Sequence, residues 1–252
     1  MKEIEEYNDQ VEGRNAVKEL LNSGKDINKI FVAKGEKHGS IFEIIAKAKE
    51  RKIVINEIER NKLDKMAQSE NHQGVIAIVP PYEYSSVDEI LEYAKSKNEE
   101  PFIIILDEIE DPHNLGSIIR TAECSGVHGI IIPKRRSASV NSTVLRTSVG
   151  AVEHMRIARV NNLVETIKEL KENDIWIYGT DMDGKQEYTK QDYKGGVGLV
   201  IGNEGTGMSR LVKENCDILV RIPMVGKINS LNASVSAGIV MYEIFNQKNK
   251  NK

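Results

Sequence analysis

Three segments in the C-terminal half of the chain place polar side chains and glycines directly after apolar runs. They occupy residues 106–120, 200–209 and 222–234, and each has the pattern of a strand, a loop and a helix. In an open α/β sheet, ligands bind beyond the carboxyl ends of the strands, where such loops gather. The three segments therefore predict a ligand site at one edge of a parallel sheet.

The first segment offers Asn114 and Arg120 as candidate functional residues. Asn114 stands where a helix is predicted to begin, so it also suits an N-cap. Arg120 follows two turns later on a helix whose other face is apolar. One interpretation is a solvated surface arginine, and the other is a phosphate ligand, because the planar guanidinium matches phosphate geometry.

The second segment contains Gly202, Glu204 and Gly207 after a buried run. The spacing approaches that of a phosphate-binding P-loop, but Met208 stands where that loop needs a lysine to meet the phosphates. Glu204 would also repel a triphosphate. These two residues disfavour a nucleotide hydrolase, and leave a plain tight turn or a close backbone approach to a phosphate-free ligand.

The third segment leads into a helix start that is rich in Ser and Asn, with Ser230, Asn232 and Ser234 close together. Ser230 is predicted to be the N-cap of a helix over residues 231–245. Capping does not account for Asn232 and Ser234, because polar residues later in the first turn weaken a helix. A helix start of this kind offers free N–H groups and hydroxyls to a ligand.

The elements around these segments predict an α/β protein with two domains. In the C-terminal part, strands alternate with helices, which implies a parallel sheet with helices on both faces. The predicted strands are 102–106, 129–132, 175–180, 197–201 and 218–222, and the predicted helices are 115–125, 163–172, 209–214 and 231–245. The last helix carries an apolar row made of Leu231, Val235, Ile239, Tyr242 and Phe245.

The N-terminal part predicts a small α/β unit that ends near Tyr82. Its helices are predicted at 15–21, 41–51 with Ser40 as the cap, and 59–67, and its strands at 27–32, 53–55 and 74–79. We therefore expect a first domain over residues 1–82, a linker over 83–100 and a second domain over 101–252.

Composition and charge limit the function classes. The net charge of −3 argues mildly against a nucleic-acid binder held by bulk charge, although residues 47–52 and 134–136 form local basic patches. The two cysteines stand in no CxxC or Cys/His cluster, so no metal site is expected. No apolar run approaches the ~18 residues that cross a bilayer, and the acidic first ten residues do not form a signal peptide. These features favour a cytoplasmic protein without a membrane partner.

Together the three segments resemble the SpoU (TrmH) family of RNA ribose 2′-O-methyltransferases. The matching runs are N-L-G-S-I-I-R at 114–120, I-G-N-E-G-T-G-M-S at 201–209 and I-P-M-V-G-K-I-N-S-L-N-A-S at 222–234. Residues 11–17 and 72–75 are similar to the small RNA-recognition domain of many members. The resemblance implies the SPOUT fold, in which the C-terminal chain forms a trefoil knot, and a homodimer. Composition and pattern alone predict only an ordinary doubly wound sheet, since knots are very rare.

The resemblance also implies a cofactor, a substrate and site residues. The cofactor is S-adenosyl-L-methionine, and the substrate is structured RNA, with a guanosine of 23S ribosomal RNA as the nearest match. The implied cofactor residues are Thr180, Gly202, Ile222 and Leu231. The implied catalytic residues are Arg120, Asn114, Glu204, Ser230 and Asn232. The implied RNA-binding residues are Arg14, Arg120 and Arg135.

The role of Arg120 and the substrate stay open at this point. A guanidinium holds its proton in proteins, so a phosphate clamp is a better hypothesis for Arg120 than a general base. A resistance methyltransferase of the same family that acts on an adenosine of ribosomal RNA is one alternative. A non-catalytic RNA-binding or ribosome-assembly factor is another, although the intact polar residues of the three segments argue against it.

Overall fold

The computed structural model describes residues 10–24, 26–35, 39–67, 72–80, 82–227 and 230–250. The chain divides into two compact units, one up to Glu83 and one from Tyr84 onward. Within the described residues, no helix is both long and apolar enough to cross a membrane.

The first unit is a four-stranded mixed sheet with helices. Its elements are β1 (Gln10–Glu12), α1 (Arg14–Asn22), β2 (Lys29–Ala33), α2 (Ser40–Glu50), β3 (Val54–Ile58), α3 (Arg60–Met66) and β4 (Val75–Ile78). The strand order is β1-β4-β2-β3. β2 is parallel to β3 and antiparallel to β4, and β1 is antiparallel to β4. The continuous apolar runs of β2 and β4 form the centre of the sheet, as expected for strands covered on both faces.

Two details of this unit differ from the sequence prediction. Gly39, not Ser40, is the N-cap of α2; Ser40 is already helical, and no side chain caps this end. Gly39 has a φ of 64°, a left-handed conformation that glycine adopts without strain. The short strand β1 was not predicted, because three residues are too few for a period-two pattern to be visible.

The second unit is a parallel sheet flanked by helices. In chain order it contains α4 (Val87–Ser96), β5 (Phe102–Leu106), α5 (Pro112–Cys124), β6 (Gly129–Pro133), α6 (Ser142–Thr147), β7 (Arg156–Val160), α7 (Leu163–Glu172), β8 (Ile175–Thr180), β9 (Gln186–Glu187), β10 (Gly196–Ile201), α8 (Arg210–Asn215), β11 (Ile218–Arg221) and α9 (Ala233–Lys250). The strand order is β7-β6-β5-β10-β8-β11-β9, and every described pair in it is parallel.

The centre of this sheet is β5 and β10, whose residues are all buried. One core cluster joins Ile103 and Ile105 of β5 to Ile167 of α7, Val212 of α8 and Ile90 of α4. Because β10 lies between β5 and β8, the loops after β5, β10, β8 and β11 leave the same edge of the sheet. This edge is where the three sequence segments meet.

Both predicted helix caps near this edge are wrong. Helix α5 begins at Pro112, and the side chain of Asp111 accepts a hydrogen bond from His113 N at 2.9 Å, so Asp111 is the N-cap and Asn114 is not. At the start of α9, Asn232 Oδ1 accepts from Ser234 N at 3.0 Å and Val235 N at 3.3 Å. Asn232 therefore performs the capping role that was predicted for Ser230.

The predicted apolar row of α9 is also not the one that the core covers. The buried residues of this helix are Ala233, Ala237, Val240, Met241 and Ile244. In the predicted row, Val235 is 49% exposed and Tyr242 44% exposed. Helix α9 thus has apolar residues on two faces, and a periodicity argument cannot tell which of them packs on the sheet. Strands β7 and β9 and helix α6 were not predicted at all.

Candidate cofactor and catalytic site

The glycine-rich loop over residues 202–209 joins β10 to α8 and has a tight, self-bonded conformation. Asn203 and Gly207 exchange backbone hydrogen bonds of 3.0 and 2.9 Å, and Asn203 Oδ1 accepts from Gly205 N at 2.8 Å. At Gly202, a Cβ atom would lie 2.3 Å from Met208 N, which no real side chain tolerates. Glycine at position 202 is therefore required by the path of the loop itself.

Two hydrogen bonds connect this loop to the residues that follow β5. Ser209 N donates to Asp107 Oδ2 at 2.6 Å, and Asn203 Nδ2 donates to Glu108 O at 2.9 Å. Asp107 is 4% exposed, and Glu108 has a left-handed φ of 57°. Asp107 was not singled out in the sequence, where the only signal was an acidic residue directly after an apolar run.

Asn114, Glu204 and Asn232 form one polar network that links the three sequence segments. Asn114 Nδ2 donates to Glu204 Oε1 at 2.9 Å, and Asn232 Nδ2 donates to Asn114 Oδ1 at 3.0 Å. Asn232 Nδ2 also donates to Glu204 Oε1, and Ala233 N does so at 3.0 Å. The negative Glu204 carboxylate thus lies at the N-terminus of α9, where the helix dipole favours an anion.

A cavity of about 370 Å³ opens beside this network at the carboxyl ends of β8, β10 and β11. Its size is within the range of small-molecule sites. All four predicted cofactor residues line it: Thr180, Gly202, Ile222 and Leu231. Glu204 and Ser230 line it too, whereas Asn114 and Asn232 are not among its lining residues. Residues 228–229 of the third segment lie outside the described residues.

None of the three predicted RNA-binding arginines is among the residues that line this cavity. Arg120 is exposed on α5 and does not line the cavity, and its side chain makes no hydrogen bond or ion pair with any residue the structure describes. Arg135 is exposed after β6, next to Arg136, which forms an ion pair with Glu108. Arg14 belongs to the first unit, where its Nε donates to Gln73 O at 3.0 Å.

The chemistry available at this edge is limited by what the side chains can do. Burial raises the pKa of the Cys216 thiol to about 12, so Cys216 is not a thiolate nucleophile. Over the described ranges, no three His, Cys, Asp or Glu side chains stand close enough together to hold a metal ion. Met208 occupies the position at which a P-loop has its lysine, and its side chain is buried in the core. The glycine-rich loop therefore offers no cation to a phosphate at this position. The arrangement fits a phosphate-free ligand held largely by backbone.

The fold and the cavity define an α/β enzyme with its ligand at the carboxyl edge of a parallel sheet. A model of the SpoU rRNA methylase family matches residues 101–242, and a model of the substrate-binding domain of RNA 2′-O ribose methyltransferases matches residues 10–85. The chain therefore belongs to the SpoU rRNA methylase family.

Known relatives and solved structures agree with this family. YacO of Bacillus subtilis (strain 168), a member of the TrmH family of tRNA/rRNA methyltransferases, is 48% identical over 98% of both chains. The SpoU methyltransferase AviRb of Streptomyces viridochromogenes, solved with AdoMet, has a TM-score of 0.73 at 25% identity and covers 94% of this chain and 89% of its own. An AdoMet-bound rRNA methyltransferase of Sinorhizobium meliloti has a TM-score of 0.70 at 27% identity over 93% of this chain and 85% of its own.

These findings confirm the predicted SPOUT class of fold, the RNA methyltransferase activity and the cofactor. The protein is an RNA ribose 2′-O-methyltransferase that uses S-adenosyl-L-methionine. The cavity described above suits this cofactor because the cofactor carries no phosphate and the glycine-rich loop beside the cavity has no P-loop lysine.

Proposed function

We propose that this enzyme methylates the ribose 2′-hydroxyl of a guanosine in 23S ribosomal RNA, with its methyl donor bound in the cavity beside the glycine-rich loop. The observation that carries the proposal is the meeting of the three segments at one edge of the sheet. Asn114, Glu204 and Asn232 join them by hydrogen bonds, and Gly202 and Leu231 line the adjacent cavity. A ribosomal RNA substrate also implies that the enzyme acts in the cytoplasm.

The cofactor supplies an electrophilic methyl group, and the protein has to align the RNA oxygen with it. Most of the reduction of the barrier then comes from positioning. The cavity is lined by Gly202, Ile222 and Leu231, with Thr180 beside them. Thr180 Oγ1 donates to Val200 O at 3.1 Å, so its hydroxyl proton is already used inside the sheet. Around Gly202, Ile222 and Leu231, backbone groups and apolar side chains are thus the contacts offered to an adenosine.

Arg120 is assigned to the RNA side of the reaction. Its guanidinium keeps its proton in proteins and cannot take the proton of the 2′-hydroxyl. Its exposure and its lack of a partner among the described residues leave all its N–H groups available to a phosphate of the RNA. A positive charge there would stabilise the negative charge that develops on the 2′-oxygen.

The network of Asn114, Glu204 and Asn232 serves as a positioning device for both sides. Asn114 lies on α5 together with Arg120, and Asn232 caps α9 next to Leu231. Glu204 accepts hydrogen bonds from both asparagines. Ser230, which lines the cavity, is proposed to contact the ribose or the cofactor.

The first unit is proposed to recognise the shape of the RNA, because A-form grooves hide the base sequence. Its match to a substrate-binding domain supports this role. Arg14 is the proposed RNA contact there, and Arg135 is the proposed contact on the second unit. We assign residues 1–82 to RNA binding, 83–100 to the linker and 101–252 to methyl transfer, although Ile90 of α4 packs in the core of the second unit.

The family also supports a knotted chain and a homodimer for this protein. A knot places the segment before α9 through a loop of the same unit, and Asn232 and Ala233 of that segment donate hydrogen bonds to Glu204 of the glycine-rich loop. The dimer is supported by the exposed apolar row on α9, where a second copy would cover Val235 and Tyr242. Light scattering of the Tyr242→Glu variant checks this: we expect a monomer, whereas an unchanged dimer would place the interface elsewhere.

Mapping of 2′-O-methyl groups on total RNA from cells with and without the protein tests the substrate. We expect one guanosine of 23S ribosomal RNA to lose its methyl group and to regain it when the purified enzyme and cofactor are added. Loss at an adenosine would identify a resistance-type methyltransferase. Loss in transfer RNA would identify a transfer RNA as the substrate, and no change at any position of 23S ribosomal RNA would contradict the proposed substrate.

A further inference from the structure

An ion pair crosses the wall of the cofactor cavity between two segments that the sequence motifs do not include. Lys213 Nζ of α8 lies 2.7 Å from Asp181 Oδ2, directly after β8. Both residues line the cavity. Their side chains are 35% and 11% exposed, and the hydrogen bond to Asp181 raises the pKa of Lys213. The pair is therefore charged, with Asp181 largely shielded from water and Lys213 partly exposed.

Asp181 also belongs to a turn that is held by its own hydrogen bonds. Asp181 N donates to Val220 O at 2.9 Å, Asp181 Oδ1 accepts from Asp183 N at 2.9 Å, and Gly184 N donates to Asp181 O at 3.1 Å. One carboxylate oxygen of Asp181 thus holds its own turn, and the other holds Lys213. Residues 181–183 of this turn line the cavity together with the glycine-rich loop.

Helix α8, which carries Lys213, depends on tertiary contacts for its position. Helix α8 has six residues and no side-chain cap, and a helix this short is not stable without tertiary contacts. It follows the glycine-rich loop directly, so any shift of α8 moves that loop. The described contacts that place it include the buried Val212, the bond from Ser209 N to Asp107, and the ion pair of Lys213.

We infer that Asp181 and Lys213 are positioning residues for the cofactor: their ion pair holds the turn and the glycine-rich loop at the spacing that the adenosine part of the cofactor requires. The inference rests on the assignment of this cavity to the cofactor. Lys213 is the one basic residue among the described residues that line the cavity, and its ammonium group is paired with Asp181.

The competing role for Lys213 is direct contact with the amino-acid part of the cofactor. The two roles differ in their response to 5′-methylthioadenosine, which has the adenosine but neither the carboxylate nor the ammonium group. If the pair sets the cavity width, its loss weakens both ligands. If Lys213 binds the carboxylate, its loss weakens S-adenosylmethionine alone.

The test is calorimetry of the full-length protein with both ligands. Lys213→Met keeps the aliphatic stem, and Asp181→Asn keeps the Oδ1 acceptor of the turn, so each removes one charge with little other change. We expect each variant to bind both ligands about tenfold more weakly, as is usual when one partner of a partly buried pair is left alone. Steady-state kinetics should show a raised KM for the cofactor with a kcat close to that of the wild type, and Lys213→Arg should restore most of the affinity.

Glu214→Gln is the matched control, because it breaks the exposed pair of Arg210 and Glu214 on the same helix without touching the cavity. It should leave both affinities unchanged. Unchanged affinities in Lys213→Met, or a loss confined to S-adenosylmethionine, would overturn the inference. If Gly202→Val also binds the cofactor normally, the cavity assignment itself is wrong; if Gly202→Val fails to bind while Lys213→Met binds normally, only the role of the pair is wrong.

Discussion

The donor side and the RNA side of this site are organised differently. On the proposed donor side, the glycine-rich loop is hydrogen-bonded to Asp107, Glu108 and Asn232 of the protein itself. On the RNA side, Arg120 is exposed and has no partner within the part of the chain that the structure describes. From this difference we expect the protein's own hydrogen bonds to maintain the proposed cofactor cavity, and RNA binding to orient Arg120. Preorganisation of this kind reduces the entropy that cofactor binding has to overcome.

Gly202→Val should have the largest effect, because it disturbs the glycine-rich loop at the position where a side chain has the least space. A Cβ at this position would lie 2.3 Å from Met208 N and 2.4 Å from Gly207 C, so the backbone has to move. We expect cofactor affinity to fall more than about 100-fold, measured by calorimetry. Gly205→Ala is the control, since its Cβ would meet only Asn203 Oδ1 at 3.5 Å. Equal affinity in both variants would show that the loop is not the prepared element.

Arg120→Lys should affect the RNA side of the site and leave the donor side unchanged. Lysine keeps the charge but loses the planar fork, so we expect turnover to fall about 100-fold while cofactor affinity stays within twofold of wild type. Single-turnover methylation and calorimetry together provide the measurement. Arg210→Lys, at an exposed position outside the cavity, should change neither quantity. A near-normal turnover of Arg120→Lys would rule out a phosphate clamp of this geometry.

Glu204→Gln should affect both sides to a smaller extent, because Glu204 joins the glycine-rich loop to α5 and α9. Glutamine keeps an acceptor oxygen but removes the charge that receives three hydrogen bonds at Oε1. We expect about a tenfold loss of turnover and a small loss of cofactor affinity, since hydrogen bonds to a charged group are stronger than neutral ones. A loss in kcat alone would show that the network serves only the RNA side.

Leu231→Ala should have the smallest effect of the series. Leu231 lines the cavity and is 37% exposed, so truncation removes little buried area. If its backbone is the main contact, cofactor affinity should fall by no more than about threefold. A loss as large as that of Gly202→Val would mean that the leucine side chain, and not the main chain, holds the cofactor.

The sequence predicted those features that depend on neighbouring residues. β5, α7 and β8 have the predicted bounds because their apolar patterns are long and regular. The four cofactor residues could be named only through the family resemblance, and all four line one cavity. Their contact with the cofactor stays a prediction.

The features that sequence could not predict depend on distant parts of the chain. Asp107 reaches Ser209 across 102 positions, and Asp181 meets Lys213 between two segments without motif character. The N-caps of α5 and α9 were misplaced because several capping residues stand side by side in each segment, and only geometry selects among them. The buried face of α9 was misjudged because both of its faces are apolar.

The position of β10 between β5 and β8 has a consequence for folding during synthesis on the ribosome. β5 pairs with β10 across a separation of about 95 residues, since Phe102 lies opposite Val197. Until residues 196–201 have left the ribosome, β5 and β8 have no common neighbour, and the centre of the sheet stays open. Helix α9, which covers one face of α5, is made later still. During the synthesis of those roughly 95 residues, β5 can pair with β6 on one side only, so its other edge is open and exposed to aggregation.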